Sequence, residues 1–131
     1  MIVDSSVVIA ILRQEADASE LFDAIKAAGS VSMSAATFLE TAIVMDSRRN
    51  PITSRELDDF CKNIGLVFVS VDEHQARIAR EAYRDFGKGS GHKAKLNFGD
   101  CFAYALAKAA GEPLLYKGRD FAHTDVKSAL K

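Results

Sequence analysis

The sequence predicts an α/β fold, specifically a three-layer α/β/α sandwich around a central, mainly parallel sheet. Three observations predict it. Short β-branched runs ("IVD", "VSMS", "LVFVSV", "PLLYKG") alternate with longer segments of helical periodicity. One or two helical segments separate successive runs, which calls for right-handed crossovers and parallel pairing. The 131 residues, 48% hydrophobic and 27% charged, are enough for one core and show no linker, repeat or low-complexity tract. A single domain over residues 1–131 is therefore expected.

Each element has its own local signal. "IVD" (2–4) reads as the first strand, followed by helices in "SSVVIAILRQ" and "DASELFDAIKAAG", the second closed by Gly29. "VSMS" (31–34) is the second strand. Ser34 is placed to cap a helix through "AATFLETAIVMDSRR", which Asn50-Pro51 stops. Thr53 and Glu56 have capping-box spacing and are expected to open "SRELDDFCKNIG". "LVFVSV" (66–71) is the clearest strand. Asp72 then caps "EHQARIAREAYRDFG", in which Ala76, Ala79, Ala82, Tyr83 and Phe86 recur at helical spacing. After a glycine-lysine loop comes "NFGDCFAYALAKAAG". Its only charge from Phe102 to Ala110 is Lys108, so this helix should be buried on nearly every side. The strand "PLLYKG" (113–118) follows, and the tail "VKSAL" is read as a last turn or strand.

Bulk chemistry excludes several classes. A net charge of -1 is not that of a broadly basic nucleic-acid coat, so any anion-binding surface must be local. Cys61 and Cys101 sit in apolar contexts without a CxxC spacing and read as buried, reduced thiols. "MIVDSSVVIAIL" lacks a basic n-region and carries Asp4 inside its apolar run. No stretch approaches the ~20 apolar residues of a membrane span. A soluble, cytoplasmic protein with no membrane partner is the expectation. His74, His92 and His123 have no mutual spacing that suggests a zinc site or an acid–base pair, and read as surface residues.

Acids out of place carry the functional signal. Ligands of such sheets gather beyond the carboxyl ends of the strands. Asp4 ends the first strand, Asp100 opens the apolar helix, and Asp120 follows the strand at 113–118. Glu40, about two turns into its helix, falls angularly between Ile43 and Val44 with Ala36 beside it, on the flank of an apolar face. Each has a bland use. Asp4 suits a helix cap, Asp100 pairs with Asn97 as the N3 acid of a capping box, Asp120 suits a turn, and Glu40 can reach water. Their convergence is harder to dismiss. Two unit charges ~4 Å apart repel by ~4 kcal/mol at an effective dielectric of 20. No Arg or Lys lies close in sequence to Asp4 or Glu40 to offset this. An oxygen-only cluster of this kind suits a hard divalent cation, Mg²⁺ or Mn²⁺.

Together these stretches resemble the PIN-domain family and, more narrowly, the VapC-type toxin ribonucleases of bacterial type II toxin–antitoxin systems. "IVDSSVVIAIL" is similar to the family's opening strand, with its Asp and a small hydroxyl residue two positions on. "MSAATFLETAIVM" resembles the second element with its Glu, "LNFGDCFAYALAKAAGEPLLY" the Asp-headed alanine-rich helix and strand, and "GRDF" the closing Asp-Phe. The resemblance covers almost the whole chain. It implies a Mg²⁺-dependent endoribonuclease with Asp4, Glu40 and Asp100 as the acidic core and Asp120 as a weaker fourth. It also implies a homodimer and a cognate antitoxin. One departure is visible: where the family often carries Thr or Ser with an Asn after the last strand, this chain reads "YKGRDFAHTD". The hydroxyl is gone, and Asp125 offers a rival fourth acid.

On that footing Asp4 and Asp100 hold Mg²⁺ directly. Glu40 is a ligand, a ligand through water, or the base for the attacking water, and Ser6 orients a ligand or water behind them. Residues 84–95 carry Arg84, Lys88, Lys93 and Lys95 against Asp85, a local +3 that leaves -4 for the rest. Lys88, Lys93 and Lys95 are the expected RNA contacts, with Lys117 adding to them. Two rival enzymes fail on single residues. A haloacid-dehalogenase-type phosphatase needs a second Asp where Ser6 stands, and a phosphoacceptor receiver needs an acceptor Asp where the central strand runs into a plain helix cap. The alternative from another class is a catalytically silent RNA- or protein-binding module of PIN-like fold.

Overall fold

In the computed structural model, which describes residues 1–130, the chain runs β1 (Ile2–Val3), α1 (Ser5–Leu12), α2 (Ala18–Ala28), β2 (Ser32–Ser34), α3 (Ala35–Asp46), α4 (Pro51–Asn63), β3 (Val67–Val69), α5 (Glu73–Phe86), α6 (Phe98–Ala110) and β4 (Leu114–Leu115). A single 3₁₀ turn, Phe121–His123, follows. The strands form one sheet in the order β3-β2-β1-β4, and every pairing is parallel. The tail adds one isolated bridge, Leu114 to Ser128.

Alternation along these short strands divides the core in two. Ile2 and Leu114 point to one face, where α5 and α6 supply Ala82, Ala103, Tyr104, Leu106 and Ala107. Val3, Met33 and Leu115 point to the other, against Val7, Val8, Leu21, Ile25, Leu57 and Cys61 from α1, α2 and α4. Cys61 and Cys101 are both free and buried, as expected. Among the described residues no helix is long and apolar enough to cross a membrane.

Caps explain where the helices begin. Asp4, Ser34, Asp72 and Asn97 each accept a backbone N–H from the first turn that follows. The expected start of α4 needs correction. Asn50 accepts the Ile52 N–H and Pro51 occupies the first helical position, so Thr53 and Glu56 lie inside the helix rather than at its cap. Proline's fixed φ suits that position, and its missing N–H costs nothing there. The same dipeptide thus ends one helix and starts the next.

Burial on α3 also differs from the periodicity. The helix buries Thr37, Thr41 and Met45, while Leu39 and Ile43 are 59% and 61% exposed. Thr41 donates its hydroxyl to the Thr37 carbonyl at 2.8 Å, which removes most of the cost of burying it. Glu40 itself sits among Ala36, Leu39, Ile43 and Val44, on the flank of an apolar face as expected, but that face is partly exposed while the threonines are buried. "LVFVSV", although the most strand-like run, forms the outer edge, with Val67 and Phe68 exposed.

Candidate active site

The strand order reverses between β1 and β4. The chain steps from β1 to β2 to β3 on one side and returns to lay β4 on the other. The crevice beyond the carboxyl ends of β1 and β4 is therefore the expected ligand site of this topology. Asp4 follows β1 directly and Asp120 follows β4 by a short loop. α3 leaves β2 at the same edge, and α6, which leads into parallel β4, begins there.

Asp4 is 3% exposed. Its Oδ2 accepts the Ser6 N–H at 3.0 Å and the Ser6 hydroxyl at 2.6 Å. The Ser6 Oγ in turn accepts the Lys117 N–H at 3.0 Å, tying the turn after β1 to the exit of β4. Asp4 Oδ1 is buried with no hydrogen-bond partner. A buried carboxylate oxygen without a partner is costly in any protein. Burial chiefly, and the charge of Asp120, raise the Asp4 pKa against the bonds from Ser6 and Ser5.

Glu40 reaches the site from α3. Ser5 donates its hydroxyl to Oε1 at 3.0 Å, and the carboxylate lies over Gly99. Its pKa is raised by burial first and by Asp4 second, against the Ser5 bond. Asp100 and Asn97 form a full capping box: Asn97 donates its N–H to Asp100 Oδ2 at 2.9 Å, and Asp100 donates its own to Asn97 Oδ1 at 2.8 Å. Even so, burial, with the charges of Asp4, Glu40 and Asp120, pushes the Asp100 pKa up to about 6. Asp4, Glu40 and Asp100 thus each feel the charge of at least one other acid, and among the described residues none of the four acids joins an ion pair.

The donor set fits a hard divalent cation on this structure's own terms. It is all oxygen, it holds unbalanced negative charge, and it includes the orphaned Asp4 Oδ1. Among the described residues no group of three or more His, Cys, Asp or Glu side chains is arranged to hold a metal ion. A set of carboxylates without thiolate or imidazole is the ligand chemistry of Mg²⁺ or Mn²⁺ rather than of a closed zinc site.

Other expected site residues are placed as follows. Asp125 is not with the acids, since it accepts from the Tyr104 hydroxyl and from Lys108 Nζ at 3.1 Å. Lys117 sends its ammonium to Glu15 and Asp17 on the α1–α2 turn, away from the crevice. Lys88, Lys93 and Lys95 are exposed on the loop before α6, which is anchored by buried Ala94 and Leu96 and closed by the Gly87–Leu96 bridge. Ser5 and Gly99, both in contact with Glu40, were not singled out by sequence. The available signals were a hydroxyl beside Asp4 and a glycine inside an alanine-rich helix.

Known proteins resemble this chain along nearly its whole length. A family model described as PIN domain matches residues 1–127. The Mycobacterium tuberculosis protein named Ribonuclease VapC28 is 55% identical over 99% of this chain and 98% of its own length. Ribonuclease VapC42 of the same organism is 45% identical over 98% of each. Among solved structures, M. tuberculosis VapC20, titled a sarcin-ricin loop cleaving toxin, superposes with a TM-score of 0.74 over 95% of both chains at 14% identity. At that identity the likeness concerns the fold.

Proposed function

Because this chain belongs to the PIN domain family, we propose that it is a toxin ribonuclease of the VapC type, a single PIN-like domain over residues 1–131 that cuts RNA with a divalent cation, Mg²⁺ or Mn²⁺. One observation carries the active-site assignment: a buried Asp4 with an unpartnered oxygen, close enough to other acids to feel their charge, at the switch point of the sheet. When bound, Mg²⁺ supplies Lewis acidity, acidifying water and offsetting charge that builds on the phosphate oxygens. The protein supplies placement. Asp4 and Asp100 hold the cation, Glu40 binds directly or through water or takes the proton of the attacking water, and Ser6 fixes the orientation of Asp4. Asp120, the fourth acid, adds negative charge at the rim, while Asp125 is engaged elsewhere. Lys88, Lys93 and Lys95 engage the RNA backbone.

The protein acts in the cytoplasm, where a cognate antitoxin covers the site. A homodimer is favoured by the exposed apolar residues Leu39, Ile43 and Phe98, the last 75% exposed, which lie together beside Glu40. The discriminating experiment uses purified protein, single-stranded and structured RNAs, and Mg²⁺. Cleavage that stops with EDTA and with Asp4→Asn supports the proposal. RNA binding without cleavage would identify a silent binding module instead.

A further inference from the structure

Six of the eight glycines, Gly29, Gly65, Gly89, Gly91, Gly111 and Gly118, have positive φ angles, a sufficient reason for glycine. Gly87 and Gly99 do not. A Cβ on Gly87 would stand 2.1 Å from the Tyr83 carbonyl oxygen, so the backbone itself excludes a side chain there. Gly99 is the second residue of α6, a place where glycine is among the poorest helix formers. What a Cβ on Gly99 would meet is the Glu40 carboxylate: 1.9 Å from Oε2, 2.6 Å from Cδ and 2.9 Å from Oε1.

We infer that Gly99 is a positioning residue: its missing side chain is the space in which the Glu40 carboxylate is held against the first turn of α6, beside Asp100. The inference rests on the cation-dependent cleavage proposed above. The opposite side of the same carboxylate is held by the Ser5 hydroxyl. Glu40, carried on α3, is therefore clamped between the first turns of α1 and α6. A side chain at 99 would not disrupt the fold, because the atoms it displaces are the free end of a flexible, half-buried glutamate. It would move the carboxylate off the other acids. Contact with Glu40 thus accounts for a glycine that backbone geometry does not require.

Three variants test this: Gly99→Ala, Glu40→Asp and the double substitution. Each is measured by calorimetric Mn²⁺ titration of metal-free protein, by thermal midpoint without metal, and by RNA cleavage with Mg²⁺. Gly99→Ala should hold or raise the thermal midpoint, since alanine is the better helix former. It should weaken Mn²⁺ binding and cleavage by about 10- to 100-fold, the usual range for a group that orients a ligand. Aspartate at 40 is one methylene shorter and leaves the space free, while Asp4 and Asp100 keep cation binding measurable. In that background Gly99→Ala should therefore cost less than about 3-fold further. Equal losses in both backgrounds, a thermal midpoint that collapses in both, or no loss at all would overturn the inference. If the unsubstituted protein does not cleave RNA, the proposed function falls, and the Mn²⁺ titrations still decide Gly99. If it cleaves and Gly99→Ala matches it in rate and Mn²⁺ affinity, the Gly99 assignment falls alone.

Discussion

Asp100 lies in the first turn of α6 and Asp125 bonds to side chains farther along it, and their surroundings act in opposite directions. Asp125 accepts the Tyr104 hydroxyl and the Lys108 ammonium, and the Tyr104 bond above all holds its carboxyl below the ordinary value. Asp100 accepts only the Asn97 N–H. Its burial and three neighbouring acids push it up to about 6. The difference separates scaffold from site. A scaffold acid finds its compensating charge inside the chain, whereas a site acid is left for something the chain does not contain. The same contrast divides the lysines, since Lys117 is consumed by Glu15 and Asp17 while Lys88, Lys93 and Lys95 form no ion pair among the described residues.

The sharpest way to break the comparison is Asp100→Asn. Asparagine keeps an oxygen for the Asn97 N–H, so helicity and thermal midpoint should stay near those of the parent. Cleavage should fall on the order of 10³-fold, about 4 kcal/mol of transition-state stabilisation. A near-normal rate in a single-turnover assay would reduce Asp100 to a cap. Next in size is Ser6→Ala, which removes the hydroxyl bond to Asp4 Oδ2, leaves the backbone one, and unties the Lys117 N–H. Cation affinity should drop by about 10- to 100-fold in a calorimetric titration.

Asp125→Ala should do the reverse. Denaturant unfolding should show a loss of about 1–2 kcal/mol as the buried Tyr104 hydroxyl loses its partner, with cleavage per folded molecule unchanged. A large loss of rate would return Asp125 to the active site.

The smallest expected effect is the pH dependence of the metal-free protein. Asp100 moves from an ordinary value of 3.8 to about 6 on folding, and Asp4 and Glu40 shift the same way. The folded state therefore binds the extra proton. The stability contributed is fully present below about pH 4 and is lost as pH rises through about 6. Asp125 has the opposite sign, its contribution disappearing on acidification. Thermal midpoints of EDTA-treated protein should thus fall across that window, and saturating Mg²⁺ should flatten the fall. A midpoint that rises through the same window without metal would contradict the raised acids.

Much of this was legible along the chain because its causes are local. Asp4, Ser34, Asp72 and Asn97 cap helices through bonds within three residues, and alternation of strand and helix is enough to demand a parallel sheet. From those two facts Asp4 and Asp100 necessarily meet at one edge. The misreadings were also local in origin. Thr53 and Glu56 have the spacing of a capping box, but Asn50-Pro51 captured the helix start first.

By itself the sequence determined the element order, the parallel sheet and the edge where the acids collect, since helix caps and strand runs depend on near neighbours. Tertiary packing alone decided the rest. It buried threonines rather than Leu39 and Ile43 on α3, because the face a helix hides depends on which helices it meets. It joined Asp125 to Tyr104 across 21 residues and left Asp120 with the other acids. It also set Glu40 over Gly99, a contact between α3 and α6 that no spacing along the chain encodes.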